Sequence, residues 1–231
     1  MATFVLIHGA GDGGWYWHLV EPELRARGHD VVAPDLPAGD ASAGLDDFTD
    51  AVVAAVHAAV PEPRDVVVAG QSFGGFTAPL VADRLGAAAL VFVTGMVPAP
   101  GEAPDDWWAN TGYRQAADAQ AALDGGLTGN EDPFVCYYQD VPRPLAEQAM
   151  AHGRQHPAGA LDRPWPLAAL PAVPTHYVLC TEDRCFPAPF VRRVVAERLD
   201  GVVPDEIAAG HCVALARPAE LAAMLDGYAP G

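Results

Sequence analysis

The stretch Asp65-Val-Val-Val-Ala-Gly-Gln-Ser-Phe-Gly-Gly-Phe76 decides the fold of this chain. A β-branched run breaks into Gly-Gln-Ser-Phe-Gly, and an apolar helical pattern follows it. This succession of strand, sharp turn and helix is typical of a nucleophile elbow, in which flanking glycines let the backbone bend tightly around a serine. The pattern predicts that Ser72 stands at the carboxyl end of a strand as a nucleophile. The alternative is a serine in an ordinary glycine-rich turn.

Strand and helix patterns alternate on both sides of this motif. With 231 residues, of which 51% are hydrophobic, the chain is long enough for one α/β domain with a full core. The alternation predicts an α/β fold with a mostly parallel sheet and helices on both faces. Besides the elbow strand, the predicted strands cover residues 3–8, 30–35, 88–93, 175–180 and 203–207.

The pattern changes between residues 98 and 166, where Pro, Gly, Trp and Gln become frequent and strand signals disappear. We interpret this segment as a cap inserted into a core formed by residues 1–97 and 167–231. The alternative is a loosely structured surface loop, but a loop of this length inside a compact domain would be unusual. We expect Trp107, Trp108 and Tyr137 to belong to the wall of a substrate pocket under this cap.

Charge and composition exclude several classes of protein. The formal net charge is -17 and all 13 basic residues are Arg, so we expect no binding to nucleic acid. The chain starts with a short strand pattern rather than a basic segment, and no apolar run approaches the ~18 residues that span a bilayer. We therefore expect a cytoplasmic protein without a membrane partner. Its four cysteines form no C-x-x-C pair, so free thiols and no metal or cofactor are predicted.

A serine nucleophile needs a base that takes its proton and a carboxylate that orients this base. In chains with an elbow of this kind the order is serine, acid, histidine. His211 lies in Ala-Ala-Gly-His-Cys, after the last predicted strand and before the last helix, and is the candidate base. The candidate acid is Asp183, which follows the strand 175–180, and its neighbour Glu182 is an alternative that spacing leaves open.

Four segments together resemble a known family: His8-Gly9-Ala10 with Gly13-Gly14-Trp15-Tyr16-Trp17, the elbow Gly70 to Gly75, Cys180 to Arg184, and Gly210-His211. They are similar to the α/β-hydrolase group that contains plant methylesterases, hydroxynitrile lyases and related bacterial esterases. The resemblance covers nearly the whole chain except the cap and implies the α/β-hydrolase fold.

The resemblance also implies roles for individual residues. It favours Asp183 over Glu182 as the acid of a triad with Ser72 and His211. The backbone N–H groups of Ala10 and Phe73 would form the oxyanion hole, and Gly9 would leave this part of the pocket open.

The function implied is hydrolysis of a carboxylic ester through an acyl-enzyme, and the apolar cap indicates a small, neutral, hydrophobic substrate. The alternatives are a cofactor-free lyase on the same scaffold and a non-catalytic receptor for small molecules. The lyases have Thr at the position of Gly9 and Lys at that of Cys212, so these two residues favour the esterase. We expect a Gly9→Thr, Cys212→Lys double variant to gain cyanohydrin cleavage. The plant enzymes commonly have Cys-His where Gly11 and Asp12 stand, so their substrate preference is not carried over.

Overall fold

The computed structural model describes residues 1–230. Its sheet has six strands, all paired in parallel, in the order β2-β1-β3-β4-β5-β6. Strands β1, β3 and β4 are buried along their whole length, as expected of central strands covered on both faces. The bounds are β1 Thr3–Ile7, β2 Asp30–Val32, β3 Val67–Gln71, β4 Ala89–Val93, β5 Thr175–Cys180 and β6 Asp205–Ile207.

Helices connect the strands and cover both faces of the sheet. Four α-helices, α4 to α7, and a short 3-10 helix at Ala158–Ala160 lie between β4 and β5. Another 3-10 helix, Gly14–Trp17, follows β1. The α-helices are α1 Val20–Ala26, α2 Leu45–Ala59, α3 Gly74–Leu85, α4 Pro104–Asn110, α5 Tyr113–Asp124, α6 Pro133–Cys136, α7 Arg143–His152, α8 Ala188–Arg198, α9 Val213–Ala216 and α10 Pro218–Gly227.

The core consists of two apolar layers, one on each face of the sheet. Alternate residues of a strand point to opposite faces, so β1 places Val5 and Ile7 in one layer and Phe4 and Leu6 in the other. The first layer contains buried residues of α2, α3 and α8. The second contains buried residues of α1 and α10. Both faces of the sheet are thereby removed from water, which stabilises this arrangement.

The predicted fold class is confirmed, and the elements lie close to the predicted positions. Strand β2 ends at Val32, three residues earlier than predicted, because the chain turns away from the sheet at the proline-rich stretch that follows. Residues 98–166, which we call the inserted segment, follow β4 and are mainly helical. Their separation from the core as a cap stays a prediction. Within residues 1–230, no helix is both long and apolar enough to cross a membrane.

Candidate active site

Ser72 lies in the turn between β3 and α3 with a φ of 50°, in the left-handed region. The turn depends on its glycines: a Cβ on Gly70 would lie 2.5 Å from the carbonyl oxygen of Gly74, and a Cβ on Gly74 would lie 2.7 Å from that of His8. Backbone hydrogen bonds hold the turn, since Ser72 N–H donates to Val93 O and Ser72 O accepts from the N–H of Met96. The strained serine is therefore held by its surroundings, as is common at functional sites.

Asp183 has a carboxylate that is fully buried and fully hydrogen-bonded. One oxygen, Oδ1, accepts from the N–H groups of Cys185 at 2.7 Å and Phe186 at 2.8 Å. The other oxygen, Oδ2, accepts from Thr94 Oγ1 at 2.6 Å and lies 2.8 Å from His211 Nδ1. The four contacts leave this carboxylate little freedom to turn away from the imidazole.

His211 is buried between two aromatic rings. The ring of Tyr137, from the inserted segment, lies 5.6 Å from the imidazole, and that of Phe186 lies 5.2 Å from it, both edge-on. Burial lowers the pKa of His211, but the charge and the hydrogen bond of Asp183 outweigh burial, so this pKa lies above its ordinary value of 6.5. Asp183 thus favours the protonated form of the imidazole. A histidine that acts as a general base takes this form once it has accepted a proton.

Ser72 and His211 line the same cavity, which has a volume of about 460 Å³. Among residues 1–230, Ser72 makes no hydrogen bond to His211. Catalytic contacts of this kind often tighten only when substrate binds. The remaining lining residues come from the loop after β1, from the elbow and from the inserted segment: Gly9, Ala10, Gly11, Asp12, Gln71, Phe73, Met96, Trp108, Pro133, Tyr137, Tyr138, Ala149, Met150, Gly153, Cys185, Phe186 and Cys212.

Two backbone N–H groups beside Ser72 have no acceptor in the part of the chain that the structure describes. They belong to Ala10, in the loop after β1, and to Phe73, which directly precedes α3. The N–H groups at the start of a helix are unpaired by the helix itself, and the helix dipole adds a partial positive charge there. Both residues line the cavity, so their free N–H groups are available to a negatively charged oxygen near Ser72.

Residues 4–224 match the model of the family described as "Alpha/beta hydrolase family". The chain belongs to the alpha/beta hydrolase family. This agrees with the family that the sequence motifs resemble. A solved structure of polyneuridine aldehyde esterase superposes with a TM-score of 0.79 over 98% of both chains, at 24% identity, which is a likeness of fold.

The relatives of this hydrolase include several plant proteins. Norfluorocurarine synthase 1 of Strychnos sp is 26% identical over 98% of this chain and 94% of its own length. Methylesterase 3 of Arabidopsis thaliana is 26% identical over 96% of this chain and 93% of its own. Alpha-hydroxynitrile lyase of Arabidopsis thaliana is 25% identical over 98% of this chain and 96% of its own length. These relatives support an esterase-like or lyase-like activity for this hydrolase.

The sequence-predicted pocket residues of this hydrolase divide into two groups. Gly9, Trp108 and Tyr137 line the cavity. Trp107 does not: its indole is 1% exposed, and its Nε1–H donates to Val97 O at 3.0 Å. The expectation that Trp107 lines the pocket is therefore corrected. In α4, adjacent residues point in directions about 100° apart, so only Trp108 faces the cavity while its neighbour packs into the core.

Glu182 and Asp183, adjacent in sequence, have different surroundings. Glu182 is exposed, whereas Asp183 faces His211. Two contacts of the inserted segment with the same loops have no counterpart among the predictions from the sequence: Gln139 Nε2 donates to Glu182 O at 2.8 Å, and Asp140 Oδ2 accepts from Gly210 N–H at 2.8 Å. The inserted segment therefore holds the residues next to both Asp183 and His211. Thr94 was also missed, although its position directly after β4 was a usable signal.

His8 supports the loop after β1 rather than facing the substrate. Its Nδ1 lies 2.8 Å from Gly9 O, and Leu36 N–H donates to its Nε2 at 3.2 Å. Burial lowers the pKa of His8 to about 4, so the ring is neutral at neutral pH, with the proton on Nδ1. A Cβ on the neighbouring Gly9 would lie 2.6 Å from Gln71 Oε1 and 3.0 Å from Ser72 Cβ, so a side chain at this position requires Gln71 and Ser72 to shift. The gain of cyanohydrin cleavage expected of the Gly9→Thr, Cys212→Lys double variant stays a prediction.

Proposed function

We propose that the protein hydrolyses carboxylic esters through an acyl-enzyme on Ser72. The observation that carries this proposal is the contact of 2.8 Å between His211 Nδ1 and Asp183 Oδ2, next to a strained serine in the same cavity. A carboxylate held at Nδ1 leaves Nε2 as the basic nitrogen of the imidazole. Ser72, His211 and Asp183 would then be nucleophile, general base and orienting acid.

The reaction would proceed in two halves. Ser72 Oγ attacks the ester carbonyl carbon while His211 Nε2 takes its proton, and the imidazolium is stabilised by Asp183. The negative charge on the carbonyl oxygen is stabilised by the N–H groups of Ala10 and Phe73. The alcohol leaves with the proton from His211, and a water molecule, activated by the same imidazole, releases the acid from Ser72. No step requires a metal or a cofactor.

The cavity supports a small substrate with apolar parts. Its volume of about 460 Å³ lies within the usual range for small-molecule sites. Its apolar wall includes Met96, Trp108, Met150 and Phe186. We therefore propose that acyl and alcohol groups of limited size are accepted.

The test uses a panel of activated and methyl esters together with a fluorophosphonate that labels serine nucleophiles. We expect the wild type to turn over esters and to be labelled at one site, and Ser72→Ala to lose both properties while its melting temperature changes little. Persistent labelling or turnover in Ser72→Ala would assign the nucleophile elsewhere. An absence of turnover in the wild type, with binding of a small apolar ligand, would favour the receptor alternative.

A lyase is the second candidate because an alpha-hydroxynitrile lyase is among the relatives. Cyanohydrin cleavage releases a cyanide anion, which a positively charged side chain stabilises. The residues that line the cavity in the described chain include neither Lys nor Arg. Cys212 stands where an ammonium would be needed, and burial raises the pKa of its thiol, so it is neutral. We expect negligible cyanide release from mandelonitrile, and efficient release would overturn the choice of esterase.

A further inference from the structure

Asp12 is a carboxylate on the cavity wall that ester hydrolysis does not use. It lies in the glycine-rich loop after β1, four residues beyond His8, and lines the same cavity as Ser72 and His211. Its side chain is partly buried and, within residues 1–230, neither accepts a hydrogen bond nor forms an ion pair. Carboxylates withdrawn from water are normally paired, so this free acceptor indicates a partner supplied from the cavity.

The protein surroundings of Asp12 supply no permanent positive charge. Burial raises the pKa of Asp12 to about 6, while the nearby His211 opposes that rise. The other titratable neighbours, Tyr16, Tyr138 and Cys212, all have raised pKa values and are neutral at neutral pH. At pH 7 Asp12 is thus an ionised and poorly solvated carboxylate, next to an imidazole that must be neutral before each reaction.

One arginine, Arg154, lies in a segment that contacts the loop of Asp12, but its guanidinium is already paired. The backbone N–H of Arg154 donates to Gly11 O at 2.8 Å, which brings this part of the inserted segment next to Asp12. Its guanidinium forms an ion pair with Asp35 instead. With Arg154 bound elsewhere and no Lys or Arg on the cavity wall in the described chain, the charge of Asp12 is left for a ligand.

We propose that Asp12 is a specificity-determining residue that binds a protonated amine of the substrate. This proposal rests on the proposed ester hydrolysis and replaces the neutral ester expected from the sequence by another class: esters whose acyl or alcohol part has an ammonium group in reach of Asp12. Such a group forms a charge-assisted hydrogen bond with the carboxylate and offsets the cost of its burial. The net charge of -17 also attracts cationic substrates to the protein at long range.

The experiment compares matched esters that differ only in one terminal group: methyl, hydroxyl, ammonium or carboxylate. One series has this group on the acyl chain and a second has it on the alcohol, each with several chain lengths. The quantity measured is the ratio of kcat/KM for the ammonium ester to that for the methyl ester. We expect a ratio of about ten or more in the wild type at pH 7 for at least one series, since charge-assisted hydrogen bonds have this magnitude.

Asp12→Asn retains the shape of the side chain and removes its charge, so we expect its ratio to fall to about one. The same variant should improve hydrolysis of the carboxylate ester relative to the methyl ester. The control variant is Asp83→Asn. Asp83 is an exposed residue outside the cavity that forms no ion pair in the described chain, so the substitution removes one charge and no contact of the cavity. We expect its ratio to equal that of the wild type.

Three outcomes distinguish failure of this inference from failure of the proposed function. If methyl esters are hydrolysed but neither series prefers ammonium, Asp12 does not bind an amine and ester hydrolysis stands. A preference that survives in Asp12→Asn, or that Asp83→Asn also abolishes, would equally overturn the role of Asp12. If no ester of any kind is hydrolysed by the wild type, the proposed function itself is wrong.

Discussion

Ser72 and Thr94 both have a positive φ, 50° and 39°, at the carboxyl ends of the adjacent strands β3 and β4. A left-handed backbone is unfavourable for any residue with a Cβ, and most of all for a β-branched one such as Thr. The conformation of Thr94 aims its hydroxyl at Asp183 Oδ2, 2.6 Å away. At the residue scale, therefore, local strain accompanies the positioning of two side chains at one edge of the sheet.

The hydroxyl of Thr94 is expected to orient the acid of the proposed triad. Thr94→Val removes this donor and leaves Asp183 with one contact fewer, and we expect kcat to fall about tenfold, as for loss of a hydrogen bond to a charged group. Thr94→Ser retains the hydroxyl and relieves the β-branched strain. Thr94→Ser should therefore retain most of the activity. The difference in kcat between the two variants measures how much of the loss in Thr94→Val comes from the hydroxyl. Equal kcat values in the two variants, at equal melting temperatures, would contradict this role.

The pH profile tests the relation between Asp183 and His211. The general base must be neutral, so kcat/KM should rise with pH through the raised pKa of His211, above 6.5. Asp183→Asn removes the charge that raises this pKa most, while burial still lowers it. We expect the residual activity to be lower by up to ~10⁴, with its acidic limb shifted to lower pH.

Glu182→Gln is the matched control for that variant, because Glu182 is the adjacent carboxylate and is exposed. Its rate and its acidic limb should both equal those of the wild type. A loss in Glu182→Gln as large as that in Asp183→Asn would move the orienting role away from Asp183.

At the scale of elements, the inserted segment joins the core through buried contacts and contributes to the cavity through other residues. Trp107 Nε1 donates to Val97 O at 3.0 Å, and Trp165 Nε1 donates to Phe76 O at 3.0 Å. Both indoles are buried, and Phe76 belongs to α3, the elbow helix. By contrast, Trp108 and Tyr137 are partly exposed and line the cavity. The segment thus has an anchoring side and a substrate-facing side.

Trp107 and Trp108 should therefore differ in what their removal changes. We expect Trp107→Ala to lower the free energy of unfolding by about 3–5 kcal/mol, since a buried indole and its hydrogen bond are lost. Trp108→Ala should leave the melting temperature nearly unchanged and alter the ranking of kcat/KM across the ester panel. The reverse pattern, with stability lost in Trp108→Ala and specificity changed in Trp107→Ala, would contradict this division.

At the scale of the whole molecule, one buried ion pair connects the inserted segment to α8. Glu102 is the acceptor for both terminal guanidinium nitrogens of Arg198 and, at 2.9 Å, for Asn110 Nδ2. The side chain of Glu102 is 3% exposed and that of Arg198 is 13% exposed. Burial raises the pKa of Glu102, but the hydrogen bonds from Arg198 and Asn110 outweigh it, so the pKa lies below its ordinary value of 4.5.

Glu102→Gln should lower the free energy of unfolding by about 3 kcal/mol at pH 7, because Arg198 loses its buried partner. A carboxyl group with a lowered pKa stabilises the fold above its ordinary pKa, and this contribution is lost as the pH falls through the lowered value. The difference between wild type and variant should accordingly shrink below pH 4.5, as denaturant titrations at several pH values would measure.

The control for this variant is Glu62→Gln, which breaks the exposed pair with Arg64. The side chain of Glu62 is 80% exposed and that of Arg64 is 71% exposed, so we expect the free energy of unfolding to change by no more than about 0.5 kcal/mol. A difference for Glu102→Gln that is just as small, or that does not depend on pH, would show that the buried pair contributes no more than the exposed one.

The amino-acid sequence by itself determined the order of strands and helices, the elbow at Ser72 and the segment in which each candidate catalytic residue lies. These features follow from sequence patterns: β-branched runs and glycine spacing can be read within short windows, and the serine, acid and histidine follow one another in a set order along the chain. Only the tertiary structure decided which carboxylate faces His211, that Thr94 contacts Asp183 from 89 positions away, and that Trp107 packs into the core while Trp108 lines the cavity. It also revealed that Asp12 has no partner in the described chain and that a Cβ on Gly9 would crowd the side chains of Gln71 and Ser72. The reason is physical: these properties depend on which strands are neighbours in the sheet and on the direction of single side chains, and both are set by packing between residues distant in sequence.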